Sequence, residues 1–329
     1  MDRVRRIVDA VLYEGYVLWP YRRSALKNQR RWTFGGVYPP AHSALHPDDG
    51  CVMQTQCLAR AAPGARLGVR MRFLHVVERR VARLGANGRE PVDELTVAGE
   101  RYVPWEEAME REVAAEPLEL GGRTRARADI RVPAGVEREV LEDARGRPAG
   151  MLTRSWGALR GGLEVASEPL GEGVFRITAR VANETPCEGD DRERALRATL
   201  CSTHTLITIE GGELLSLTDP PPELREEAER CDNVGTWPVL AGEPGELHTI
   251  LSSPIILPDH PEIAPESPGD LFDAAEIDQL LTLSILSMTD GERVQMREAD
   301  PRTRAILERT ESLSREELMR LHGAIRERG

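Results

Sequence analysis

The chain has 329 residues, of which 40% are hydrophobic, and its 43 basic and 55 acidic side chains give a formal net charge of −12. This length allows one large domain or two modest ones, and the hydrophobic content excludes a wholly disordered chain. No run approaches the ~18 uninterrupted apolar residues of a membrane-spanning helix, so we expect no membrane insertion. Asp2, Asp9 and Glu14 interrupt the N-terminus, so we also expect no secretory signal.

The lysine and cysteine content excludes a class of reaction and a class of scaffold. Lys27 is the only lysine, and its neighbours Leu26 and Asn28 do not form the Gly-Lys-Ser/Thr end of a P-loop. Nucleotide hydrolysis of the P-loop type is therefore excluded. The five cysteines are too sparse for a disulfide scaffold. We expect reduced thiols and a cytoplasmic location.

Residues 1–46 combine a predicted helix with a basic, aromatic segment. Apolar residues recur at the spacing of one helical face, which predicts an amphipathic helix over residues 3–12. Residues 1–46 hold eight basic and three acidic side chains, whereas the remaining 283 residues carry a net charge of −17. Half of the fourteen aromatic residues lie between Tyr13 and Tyr38.

Three interpretations of this aromatic-basic segment (residues 13–32) are open. Its rings could fill the core while the arginines extend into solvent. Aromatic residues and arginine are also enriched at protein interfaces, and they bind single-stranded nucleic acid by stacking and phosphate contacts. The acidic remainder of the chain argues against nucleic acid. We predict that the segment binds a protein partner through Tyr16, Trp19, Tyr21, Arg22, Arg23, Lys27, Arg30, Arg31 and Trp32.

Four possible ligands of a soft metal follow this segment: His42, His46, Cys51 and Cys57. Structural zinc sites usually pair cysteines two to four residues apart, and this spacing is wider. The intervening residues 48–50 read Asp-Asp-Gly, which indicates a surface loop. We predict no metal and no cofactor, and these four residues are the candidates if a metal does bind.

Residues 47–257 have the pattern of a β-rich region. Apolar and polar residues alternate over residues 67–73 and 174–181, which indicates half-buried strands. Further strands are predicted over 95–97, 101–103, 113–120, 128–133, 137–142 and 249–257. Their spacing, with glycine-rich turns between them, favours an antiparallel sandwich or open barrel over βαβ units.

Cys201 and His204 resemble a thiol nucleophile beside a base. In a regular strand, positions three apart point to opposite faces, so we predict that they do not form a catalytic pair. A different candidate site combines His204 with Asp259 and His260, which could perform acid–base or metal chemistry. The competing interpretation of the acidic, proline-rich segment around Asp259 is a solvated loop.

Residues 258–329 predict this extended segment followed by helices. Asp273–Glu276 and Ser314–Glu317 have the spacing of capping boxes, and residues 280–286 form an apolar stripe. The predicted class is therefore α+β: mainly antiparallel β, with an N-terminal helix and a C-terminal helical segment. Segments 1–46, 47–257 and 258–329 form either separate units or one continuous domain.

The sequence also contains several long, distinctive stretches. They are Tyr13-Glu-Gly-Tyr16, Pro20-Tyr21-Arg22, Ala25-Leu26-Lys27-Asn28, Ser202-Thr-His204, Trp237-Pro-Val-Leu240 and the run from Asp259 to Asp273. In these stretches the chain resembles a bacterial accessory-protein family encoded beside NiFe-hydrogenase structural and maturation genes. The resemblance spans most of the chain and implies hydrogenase subunits or maturation factors as partners, but no catalytic residues.

We therefore predict a non-catalytic accessory protein that assists NiFe-hydrogenase assembly or function through protein–protein contact. One alternative is a metal-handling or small-molecule enzyme with its site near His204, Asp259 and His260. The other alternative is a structural scaffold subunit of a larger complex.

Overall fold

One long, bent strand pairs with more than half of the other strands in the main sheet. The computed structural model describes residues 2–12, 35–85, 88–189, 191–262 and 288–299, with positions 304, 307–308 and 311–312. The helices are α1 (Asp2–Leu12), α2 (Pro40–Leu45), α3 (Arg192–Leu196), α4 (Arg225–Glu229, preceded by a 3-10 turn at Pro222–Leu224) and α5 (Asp290–Ala299). The strands are β1 (Val52–Gly85), β2 (Gly88–Pro91), β3 (Leu95–Val97), β4 (Glu100–Tyr102), β5 (Trp105–Ala114), β6 (Leu118–Glu119), β7 (Thr124–Val132), β8 (Gly135–Glu142), β9 (Pro148–Trp156), β10 (Leu159–Gly171), β11 (Val174–Asn183), β12 (Cys201–Leu215), β13 (Trp237–Leu240) and β14 (Thr249–Ser253).

Twelve of these strands form one antiparallel sheet in the described part of the chain. The main path is β13-β14-β12-β1-β11-β10-β7; β2, β5, β6 and β9 also pair with β1, and β8 pairs with β9. β3 and β4 form a separate two-stranded ribbon. The large sheet curls into a half-barrel. The prediction of a mainly antiparallel β fold is therefore confirmed.

The curl depends on a bend in β1. Residues 52–60 of β1 pair with β11, residues 66–67 pair with β6 and residues 70–79 pair with β5, while β12 pairs with residues 58–61 and 66–74. The pairing with β12 shifts between Ala61 and Arg66. Gly64, in this interval, has φ +85°, a conformation that costs other residues steric strain. The alternation pattern predicted only residues 67–73 of this strand.

One face of the sheet holds the main core. Alternating residues of β1, β10, β11 and β12 meet there, among them Phe73, Leu163, Ile177 and Ile207, each almost completely buried. Burial of side chains of this size stabilises the fold by about 1.5–3 kcal/mol each. On β10 and β11 the alternate side chains on the opposite face are polar and more exposed, whereas on β1 and β12 part of that face is buried in smaller clusters.

The N-terminal helix packs on the sheet near β12. Ile7 and Val8 of α1 contact a cluster that includes Val239 and Leu251, and both side chains are fully buried. Asp9 accepts a hydrogen bond from Arg72 of β1 at 2.7 Å. The helix predicted over residues 3–12 thus corresponds to α1.

Several predicted boundaries are wrong. The strand expected over residues 113–120 is interrupted, because β5 ends at Ala114 and β6 covers only Leu118–Glu119. The strand expected over 249–257 ends at Ser253, since the next residue, Pro254, has no backbone N–H for the ladder.

The predicted C-terminal helical segment is described only in part. It is seen as α5 and a few helical positions up to residue 312. Both capping boxes and the apolar stripe at 280–286 lie outside the described residues. Among the residues that are described, no helix has the length and apolar character needed to cross a membrane.

Candidate functional site

The exposed face of β7 carries arginines at alternate positions. Residues 123–131 read Arg-Thr-Arg-Ala-Arg-Ala-Asp-Ile-Arg. Because side chains alternate between the two faces of a strand, Arg123, Arg125, Arg127 and Arg131 share one face. All four are exposed, whereas Ile130 on the other face is buried in the core.

β10 and β11 continue this face in register. Arg125 lies opposite Ala166 of β10, which lies opposite Thr178 of β11. The next row along the strands consists of Arg127, Glu164 and Arg180. Ala166 and Thr178 have short side chains and therefore leave a depression beside the longer side chains of the second row.

Three adjoining cavities follow this face along the strands. The first, of about 650 Å³, is lined by Arg123, Arg125, Arg127, Arg176 and Arg180 together with Glu164 and Glu168. The second, of about 630 Å³, shares Arg127 and adds Arg131, Arg160, Asp129 and Glu184. The third, of about 390 Å³, shares Arg160 and adds Arg194 and Arg197. We call the three together the arginine groove, with nine arginines and four acidic side chains in its lining.

Ion pairs fix most of the groove's arginines. Arg127 donates hydrogen bonds to Glu164 at 2.7 Å, Glu184 at 2.9 Å and Asp129 at 3.1 Å. The hydrogen bonds to Glu184 and Asp129 are the main reason that the pKa of Arg127 is raised, and Arg127 in turn lowers the pKa of Asp129. Five more arginines pair with carboxylates: Arg123 with Glu168, Arg131 with Asp129, Arg176 with Glu227, Arg180 with Glu164, and Arg197 with Glu78 and Glu106.

Three arginines of the groove have no such partner. The side chains of Arg125, Arg160 and Arg194 are exposed and form no ion pair with any described residue. At least one of them lines each of the three cavities. A guanidinium group binds a carboxylate or phosphate through two parallel hydrogen bonds, so these side chains can accept an external anion.

The predicted partner-binding residues lie outside the described part of the chain. All nine fall between residues 13 and 34, where the structure describes neither backbone nor side chains. The interface in the aromatic-basic segment stays a prediction.

The four candidate metal ligands do not converge on one point among the described residues. Nε2 of His42 lies 2.9 Å from Oδ2 of Asp49, and the His42 ring stacks between those of Tyr38 and His46. Cys57 is buried in the main core, where desolvation raises the pKa of its thiol. No group of three histidine, cysteine, aspartate or glutamate side chains converges as metal ligands within the described residues.

Cys201 and His204 lie on the same face of β12, so the prediction that they face opposite sides is wrong. They lie opposite Leu74 and Arg72, which share one face of β1, because a bulge in β12 accommodates an extra residue between them. Ser202, at the bulge, has φ +48°. The thiol and imidazole nevertheless hydrogen-bond backbone carbonyls: Cys201 Sγ donates to Thr199 at 3.8 Å, and His204 Nδ1 lies 3.1 Å from the Ser202 oxygen.

Asp259 is fixed to the sheet, which corrects its interpretation as part of a solvated loop. Its carboxylate accepts hydrogen bonds from the Ser216 hydroxyl and from the Leu240 backbone N–H, the latter at 2.8 Å. The backbone N–H of His260 donates to the Leu240 carbonyl at 2.7 Å. In the described structure no hydrogen bond or ion pair joins His204 to Asp259 or His260.

The arginine groove was not predicted from the sequence. The alternation of arginine over residues 123–131 is a visible signal for one face of a strand, but Arg160 and Arg194 join it only through strand pairing and the position of α3. No protein-family model matches this chain, and no curated protein matches it.

Proposed function

We propose that this protein is an accessory protein that binds an acidic region of a protein partner, and that the arginine groove is the binding site. One observation carries the proposal. Nine arginines line the groove against four lining carboxylates and three more, Glu227, Glu78 and Glu106, that pair with Arg176 and Arg197, so the groove keeps an excess of two positive charges in a chain whose formal net charge is −12. A local excess of positive charge on an acidic protein concentrates negative partners at that surface and accelerates their association.

Some arginines of the groove form ion pairs with described carboxylates, and others form none. The arginines that already pair with carboxylates hold the walls in place, which reduces the side-chain entropy that a partner must remove. Arg125, Arg160 and Arg194 supply the new ion pairs. Because these side chains are exposed, salt screening weakens the attraction, so binding should fall as ionic strength rises.

Burial of Cys201 and His204 disfavours catalysis by these two side chains. Cys201 and His204 are both fully buried. Burial raises the pKa of the Cys201 thiol, so the nucleophilic thiolate is disfavoured. A solute cannot reach either side chain without a change of structure.

The resemblance to a hydrogenase-associated family suggests which partners to test first. These are NiFe-hydrogenase subunits and maturation factors, with the aromatic-basic segment as a second predicted contact. Co-purification of hydrogenase subunits with the tagged full-length protein tests this choice. Loss of co-purification on charge reversal in the groove would support it, and unchanged co-purification would exclude the groove as the contact.

A titration tests the binding function itself. Fluorescein-labelled dodecaglutamate is titrated with the full-length protein at 50 and 300 mM salt. The triple variant Arg125→Glu, Arg160→Glu, Arg194→Glu is expected to bind at least tenfold more weakly, a loss of about 1.4 kcal/mol, because attraction becomes repulsion at three sites.

The matched control is Arg89→Glu, Arg138→Glu, Arg145→Glu. It changes the net charge equally at three exposed arginines that line none of the three cavities. The control should bind within about twofold of the parent, and both triple variants should melt within a few degrees of it, since surface substitutions usually cost about 0.5 kcal/mol each. Equal weakening in both triple variants would mean that only net charge matters, and the groove would not be the site.

A further inference from the structure

We infer that the partner segment in the arginine groove is an extended acidic peptide with carboxylates on alternate residues, lying along β7 and β10. This inference rests on the proposed binding function and specifies the class of ligand. It follows from the direction of the groove, the spacing of its unpaired arginines and the side chains that line it.

The groove runs along the strands. The first cavity surrounds residues 164–168 of β10, the second surrounds residues 159–161 of the same strand, and the third continues to α3. A ligand that contacts all three therefore follows the strand direction and does not cross it.

The spacing of the unpaired arginines matches an extended chain. Arg125 lies opposite Ala166, which is six residues from Arg160 on β10. At ~3.3 Å per residue, the two positions are about 20 Å apart. Six is an even number, so both arginines belong to the same face, and carboxylates on alternate residues of an extended peptide also share a face at this repeat. A helix covers the same distance only with about thirteen residues, at 1.5 Å each.

The lining favours a peptide over single-stranded nucleic acid. Proteins that bind single strands stack bases on aromatic side chains, and each stacked base contributes about 1–3 kcal/mol. None of the described residues that line the three cavities is aromatic. The anions that the groove's arginines already hold are carboxylates, as in the contacts of Arg127 with Glu164 of β10 and with Glu184, which follows β11. An added extended peptide presents carboxylates of the same kind.

Three fluorescein-labelled probes distinguish the possibilities by anisotropy with the full-length protein. The first is (Glu-Thr)6, whose glutamates share one face when extended. The second is (Glu-Glu-Thr-Thr)3, which has the same composition and charge but divides its glutamates between two faces. The third is a thymidine heptanucleotide, which carries six internal phosphates. Each is titrated against the parent, Arg125→Glu, Arg160→Glu and the single control Arg138→Glu.

The expected result is that (Glu-Thr)6 binds at least fivefold more tightly than (Glu-Glu-Thr-Thr)3 and more tightly than the oligonucleotide. Arg125→Glu and Arg160→Glu should each reduce this preference, and Arg138→Glu should not. Equal binding of the two peptides would overturn the alternating, extended arrangement and leave acidic binding intact. Tighter binding of the oligonucleotide would overturn the peptide assignment. If none of the probes binds, the proposed function itself falls.

Discussion

The guanidinium group of Arg127 occupies the space above Gly162. A Cβ atom built on Gly162 would lie 2.7 Å from Cζ of Arg127, although the backbone there does not adopt positive φ. Glycine at position 162 thus allows Arg127 to lie flat on β10 and reach Glu164 and Glu184.

We predict that the effect of Gly162→Ala on the free energy of unfolding changes sign when Arg127 is replaced by alanine. In the parent protein the added methyl group displaces Arg127 from its carboxylates and should destabilise the fold. In an Arg127→Ala background that obstacle is gone, so the same substitution should stabilise the fold by about 0.4–1 kcal/mol through a less flexible unfolded chain. Urea unfolding of the four proteins checks this. The same sign in both backgrounds would show that Arg127 is not held over the glycine.

A second prediction concerns a charge network away from the groove. Glu107 of β5 accepts hydrogen bonds from Arg79 and Arg154, both at 2.7 Å, and Arg79 and Glu107 are largely buried. Glu107→Gln should destabilise the protein by about 3 kcal/mol, because it removes the carboxylate that Arg79 and Arg154 share in a largely buried position, although Arg154 keeps its ion pair with Glu139. Glu142→Gln, at an exposed strand end, is the control and should cost little. A loss below about 1 kcal/mol for Glu107→Gln would mean that solvent screens the network.

Acid should destabilise the fold through two histidines. Desolvation by burial lowers the pKa of His75 and of His204 to about 4, assisted at His75 by Arg111. The pKa in the unfolded chain is about 6.5, so as pH falls the unfolded state binds these protons first. The stability that each neutral ring contributes is therefore complete above pH 6.5 and is lost between pH 6.5 and 4.

Urea unfolding between pH 8 and pH 5 measures this effect. Each histidine should contribute a loss of about 2 kcal/mol by pH 5. His75→Leu should remove one proton from the pH dependence of the free energy of unfolding. If His75→Leu retains the parent's slope, His75 does not carry a lowered pKa.

The five cysteines should divide into two classes. Cys57 and Cys201 are fully buried and burial raises the pKa of both thiols, whereas Cys51, Cys187 and Cys231 are partly exposed. In native protein, a thiol reagent should modify Cys57 and Cys201 only on unfolding, and all five in denaturant. Mass spectrometry of the native labelling reaction identifies the sites. Rapid modification of Cys201 would indicate that the region around α1 and β12 opens.

The sequence predicted the β-rich class because alternation over residues 67–73 and 174–181 reflects burial of one face. It did not predict the length of β1, since Pro63 and Gly64 interrupt the pattern within a strand that bends there. Cys201 and His204 do not face opposite sides as predicted, because alternation requires a regular strand and the pairing of β12 with β1 introduces a bulge between them. The same limit applies to the groove: the arginines of β7 are visible in the sequence, but the register that adds Arg160 is not.

Protection of arginines from chemical modification tests the central claim most directly. The full-length protein is treated with phenylglyoxal, with and without saturating (Glu-Thr)6, and modified arginines are quantified by mass spectrometry. We predict that the peptide protects Arg125, Arg160 and Arg194 and leaves Arg138 and Arg145 equally reactive. Binding of the peptide without protection of the three groove arginines would contradict the assignment of the arginine groove as the binding site.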